Sequence, residues 1–104
     1  MVAYSTESRA LTPEAATAAV QAIAGEILAG LDKSTTQVYK KIDSTFRGQI
    51  GVEVLATMKL LHTNVCIMAA ASPEASNGGR TTIGGYALLN GVPLEYTAMA
   101  RDPL

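Results

Sequence analysis

Val38-Tyr39-Lys40-Lys41-Ile42-Asp43-Ser44-Thr45-Phe46-Arg47-Gly48 runs from one kind of element into another. Val38 to Ile42 reads as a strand. From Gly48 to His62 the apolar residues Ile50, Val54, Met58 and Leu61 recur at helical spacing and predict a helix. A strand that feeds a helix through a polar turn is the unit of an open α/β sheet, whose ligands bind at that strand-to-helix edge.

Toward the N-terminus, Thr12 can cap a helix, Pro13 suits its first position and Glu14 complements its dipole. Ala16, Val20, Ile23, Ile27 and Leu31 then share one face, which predicts a helix over about residues 13 to 30. Val2-Ala3-Tyr4 reads as the tail of a strand. Toward the C-terminus, the apolar run Val65 to Ala71 has no alternation, as expected of a strand buried on both faces of a parallel sheet.

A Ser-, Asn- and Gly-rich loop follows. Tyr86 to Leu89, Asn90-Gly91 and Val92 to Tyr96 then read as a hairpin, because Asn-Gly supplies the positive φ angles of a type I′ turn, and Pro93 confines its strand to an edge. The expected fold is α/β: a partial Rossmann-like, mostly parallel β-α-β-α-β sheet with right-handed crossovers, followed by the hairpin. A start inside a presumptive strand, and an end at Arg101-Asp102-Pro103-Leu104 with nothing to cover the sheet, imply a larger parent or a homo-oligomer.

With 104 residues, 48% of them hydrophobic and 16% charged, the chain has the length of one modest core and the composition of a globular piece. Its formal net charge of −1 and dispersed basic residues leave no footprint for nucleic acid or an anionic membrane. One cysteine, Cys66, and one histidine, His62, exclude a disulfide framework and a His/Cys metal site. A reducing cytoplasm is the expected compartment. The Ala-rich stretch from Ala15 to Leu31 is interrupted by Gln21 and Glu26 and has no charged leader, so it reads neither as a membrane span nor as a signal peptide. Cys66 and the methionines read as core filling, and His62 as a helix-end residue.

Four features converge on the Asp43 to Gly48 turn: helix N–H groups, the cations Lys41 and Arg47, the hydroxyls of Ser44 and Thr45, and the Asp43 carboxylate. That set suits a polyhydroxy carboxylate or a phosphate. By strand alternation Lys41 and Asp43 share one side and Lys40 the other. The same residues are also compatible with a simple helix cap beside solvated lysines. Arg9, after Ser8 at the same sheet edge, could clamp a carboxylate or could be an exposed loop arginine. Asn77 to Gly85, with Arg80 inside it, could form an anion nest or a flexible connection, and it lacks the ending of a P-loop.

Taken in order, Thr6-Glu7-Ser8-Arg9, Lys40 to Gly48, Gly79-Arg80-Thr81-Thr82, Asn90 to Leu94 and Ala100 to Leu104 resemble the four-carbon acid sugar kinase family. The resemblance covers essentially all of residues 1–104 and places them within the family's N-terminal, sugar-binding domain. It implies an ATP-dependent kinase acting on threonate, erythronate or an oxo-tetronate. Arg9, Lys41, Asp43, Arg47 and Arg80 would grip the substrate, Ser44, Thr45 and Gly48 would add short polar contacts, and Asp43 would be the catalytic group that orients the reacting hydroxyl.

The family's first acidic, glycine-containing motif and its nucleotide domain have no counterpart here. ATP and Mg²⁺ are therefore expected of full-length members and not of this chain, which should not transfer phosphate alone. Phe46 stands where leucine is usual, and Ser72 to Asn77 is longer and less aromatic than the family's loop. The alternative is a non-catalytic α/β remnant, either an oligomerising module or an effector-like protein.

Overall fold

Helix α1, Pro13–Ala29, forms where the cap signals lie. Thr12 Oγ1 accepts from the Ala15 N–H at 3.3 Å, and Pro13 occupies the first turn, where its missing N–H is harmless. Gly30 closes the other end through its N–H to the Ile27 carbonyl. The computed structural model describes residues 3–32, 34–72 and 79–102. These group into two units, Met1–Lys41 with Gly48–Cys66, and Ile42–Arg47 with Ile67–Leu104.

In the first unit α1 packs against α2, Ile50–Leu61. Ala16, Val20 and Leu28 of α1 and Ala56 of α2 form its buried apolar core. Small side chains at Ala16 and Ala56 suit close helix approach. Helix α2 ends on His62 at φ 53°, whose N–H reaches the Lys59 carbonyl while the Thr63 N–H reaches that of Met58, the pairing of a Schellman motif. Here a histidine occupies the left-handed position that usually selects glycine, and its role is that of a backbone cap.

The second unit carries an antiparallel sheet in the order β1 (Arg80–Ile83), β2 (Tyr86–Leu89), β3 (Val92–Pro93). The expected hairpin forms with Leu89 opposite Val92, on Asn90 and Gly91 at φ 52° and 78°. A second two-residue turn, Gly84-Gly85 at φ 58° and 85°, sets Ile83 opposite Tyr86. Beyond Pro93 the chain leaves the ladder for two short 3₁₀ turns, Leu94–Tyr96 and Ala98–Arg101.

The mostly parallel, Rossmann-like sheet expected from the sequence is not what forms. Among the described residues the ladders of the named sheet are antiparallel, and neither Val38 to Ile42 nor Val65 to Ala71 is a strand. Val65 and Ile67 are 75% and 93% exposed. An apolar run signals a need for burial, whereas a strand exists only through a paired neighbour, and the partners these runs would need are far apart in sequence. The antiparallel strands pair instead through local two-residue turns.

Ala3 and Tyr4 are likewise not in a strand, and Val2 lies outside the described residues. Cys66 is exposed, as is Met68, so neither belongs to a core. Leu31 falls outside α1 and is exposed, and Leu28 takes its inward place. No helix among the described residues is long and apolar enough to cross a membrane.

Candidate functional site

In the second unit the polar sequence Asp43 to Arg47 folds into a tight turn, in which the Phe46 N–H reaches the Asp43 carbonyl at 3.0 Å. Phe46 takes φ 58°, a left-handed angle that disfavours side chains with a Cβ. What holds the turn is the Asp43 side chain. Its Oδ2 accepts from the Thr45 N–H at 3.2 Å, from the Thr45 hydroxyl, and from Arg47 Nε at 3.1 Å. Asp43 therefore caps a turn, where the sequence suggested a helix cap; helix α2 begins only at Ile50.

Arg47 is engaged on two sides, with Nε on Asp43 and Nη1 on Asp102 Oδ2 at 3.0 Å. Hydrogen bonding from Arg47 holds the Asp43 carboxyl far below the usual carboxylate range, against partial burial, which pushes it up; Thr45 adds to the lowering. Asp43 in turn raises the Arg47 guanidinium pKa further. The result is an ionised, oriented carboxylate whose Oδ1 has one long contact, to Arg47 Nη2 at 3.4 Å. Such an oxygen can accept a hydroxyl proton in a hydrogen bond, and its weak basicity suits orientation better than proton abstraction.

Thr45 is buried, Ser44 half-buried. Thr45 and Phe46 border a cavity of about 280 Å³ whose other walls include Tyr86, Pro93, Leu94 and Met99. Arg80, at the start of β1, is fixed by a two-bond bridge to Ser72. Its Nε is buried with no hydrogen-bond partner among the described residues, a desolvated donor of the kind an anion satisfies. The glycine stretch read as a nest is in part strand β1 and its turn; Asn77 and Gly78 lie outside the described residues.

In the first unit Arg9 sits on an exposed turn closed by the Leu11 N–H to the Ser8 carbonyl at 3.1 Å. Gly48, at φ 89°, lies against it; a Cβ there would come within 3.2 Å of Arg9 Cγ and 3.4 Å of its Cα and carbonyl oxygen. Lys40 Nζ pairs with Glu53 Oε2 at 2.5 Å, while Lys41 is exposed. The two lysines thus differ in surroundings, Lys40 half-buried on Glu53 and Lys41 exposed, on a segment that is not the strand from which the alternation was read.

The structure brings together Asp43, Thr45 and Arg47 in one unit, and Arg9 with Gly48 in the other. Two residues escaped the sequence reading as members of these clusters. Asp102 lies in the closing motif Ala100 to Leu104, to which the sequence alone gives no site role. Glu53 is 6% exposed on α2 and accepts from Ser8 Oγ at 2.6 Å. Its signal was a carboxylate three residues after Ile50, within the inward stripe.

The family described as the sugar-binding N-terminal domain matches residues 1–104. The chain is 45% identical over 103 residues to D-threonate kinase of Salmonella typhimurium, covering 99% of this chain and 23% of that protein. It is 38% identical over 104 residues to D-erythronate kinase of Heliobacterium modesticaldum, covering 99% and 22%, and 41% identical over 68 residues to D-threonate kinase of Cupriavidus necator, covering 65% and 15%. The chain thus spans less than a quarter of the length of these curated relatives. No solved structure matches it.

Proposed function

Because the chain belongs to the family of sugar-binding N-terminal domains, we propose that it is the substrate-binding portion of an ATP-dependent kinase for four-carbon acid sugars, with threonate, erythronate or an oxo-tetronate as ligand. The observation that carries this reading is the Asp43 turn. An ionised carboxylate with one lightly used oxygen, held by Arg47 and Thr45, is a ready acceptor for a sugar hydroxyl.

Asp43 orients the hydroxyl to be phosphorylated, and Arg47, engaged by Asp43 and Asp102, keeps that carboxylate in place. Arg9, Lys41 and Arg80 supply positive charge for the acid group, and Ser44, Thr45 and the Gly48 backbone supply short polar contacts. The chain contributes binding and orientation, which are most of what phosphoryl transfer asks of a protein besides the charge supplied by nucleotide and metal.

ATP and Mg²⁺ enter through the kinase names of the relatives. No group of three or more His, Cys, Asp or Glu side chains among the described residues could hold a metal ion. Nucleotide binding is assigned to the remainder of a longer kinase, the partner that this reading implies.

Calorimetric titration of the chain with D-threonate, D-erythronate and their oxo forms tests the proposal, with an Asp43→Ala, Arg47→Ala double variant as control. Saturable binding that the double variant loses supports it. No heat from a folded chain sinks it.

A further inference from the structure

Glu53 gathers three stretches of sequence on one buried carboxylate. Its Oε1 accepts from Ser8 Oγ at 2.6 Å, its Oε2 pairs with Lys40 Nζ at 2.5 Å, and both atoms ride on α2. Ser8 is itself 5% exposed and shares a 2.7 Å hydrogen bond with Thr6 Oγ1. The next residue is Arg9, whose backbone rests against Gly48. A carboxylate taken out of water is retained only where its partners are fixed, so the positions of Ser8 and Lys40 are bound to that of α2.

We infer that Glu53 is a positioning residue for Arg9: by holding Ser8 on one side and Lys40 on the other, it sets the turn from which Arg9 reaches an acid sugar. Gly48 completes the arrangement by leaving room for the Arg9 backbone. Glu53 does not touch the ligand. It lowers the entropy that Arg9 loses on binding, since the turn is ordered beforehand. The inference rests on the proposed acid-sugar reading for the role of Arg9, but not for the anchoring of the turn.

The test uses the full chain and two readouts. Amide hydrogen exchange at Leu11, whose N–H bonds the Ser8 carbonyl, reports the anchor without any ligand. Affinity for D-threonate and D-erythronate reports its use. In Glu53→Gln, exchange at Leu11 and the dissociation constant should each rise about tenfold, the weight of one charge-assisted hydrogen bond. Ser8→Ala should move both in the same direction, and it decides the matter if Glu53→Gln does not fold. In an Arg9→Ala background, Glu53→Gln should bring no further loss of affinity, a coupling that a general loss of stability would not produce.

Unchanged exchange at Leu11 in the folded variants overturns the inference, as does an affinity loss that simply adds to that of Arg9→Ala. If the wild-type chain binds neither acid sugar, the proposed function and the role of Arg9 fail together, while the exchange result separately upholds or removes the anchor.

Discussion

The Arg47 guanidinium meets the Asp43 carboxylate at 3.1 Å across one turn of chain, and this contact extends the pH range over which the carboxylate stays ionised further toward acid. Arg47 also reaches Asp102, so it serves the turn from within.

Asp43 makes stability depend on pH in a defined direction. The folded chain keeps it ionised where an unfolded chain, with a carboxyl pKa of 3.8, would take up a proton. Its contribution is complete well above that value and is lost as pH falls toward the lower folded value. Asp43→Asn should be less stable than wild type near neutrality by about 1–2 kcal/mol. Below about pH 4 the difference should shrink, read by urea denaturation across a pH series.

Lys40 and Lys41 should separate sharply on substitution. Lys40→Ala leaves the Glu53 carboxylate buried without its cation and should destabilise the chain by about 2–3 kcal/mol. Exposed Lys41→Ala should alter stability by no more than about 0.5 kcal/mol. Acid-sugar affinity should fall for Lys41→Ala. Thermal denaturation with calorimetric titration distinguishes the two, and equal stability losses would contradict the pairing.

Gly48→Ala should be costly for two independent reasons. The backbone sits at φ 89°, and the added Cβ would press on Arg9 at 3.2 Å. A loss of about 1–2 kcal/mol is expected, with altered amide shifts at Arg9 in a ¹⁵N correlation spectrum. Unperturbed Arg9 resonances would argue against the close approach.

His62→Gly should stabilise the first unit. The histidine caps α2 at φ 53° with its backbone bonds already made. Glycine keeps those bonds and relieves the left-handed conformation, for a gain of about 0.5–1 kcal/mol. Chemical denaturation measures it, and a loss would show that the imidazole itself contributes.

What was legible in the sequence had local causes. Thr12-Pro13-Glu14 starts α1 because a cap and a fixed φ act within one turn of chain. Asn90-Gly91 builds its hairpin because positive φ is set by the residues themselves. Gly84-Gly85 carried the same signal, but the stretch Asn77 to Gly85 reads equally as an anion nest or a flexible connection, and neither reading contains the turn that forms.

Pairing was not legible. Val38 to Ile42 and Val65 to Ala71 have strand composition, yet hydrogen-bond partners distant in sequence decide whether a strand forms. Glu53 was hidden for a related reason. Its pattern position placed it inward, but only the arrival of Ser8 and Lys40 turns a misplaced charge into a buried anchor.

The two helices, the Asn90-Gly91 hairpin and the family follow from residue order alone, since caps, turn residues and ordered motifs depend on near neighbours in the chain. The folded chain alone reveals that the sheet is antiparallel, that Lys40 rather than Lys41 turns inward, and that Asp102 and Glu53 hold Arg47 and Ser8. The cause is that the polar pairs Ser8 with Glu53 and Arg47 with Asp102 join residues distant in the chain, and that an apolar run becomes a strand only with a partner its own residues do not specify.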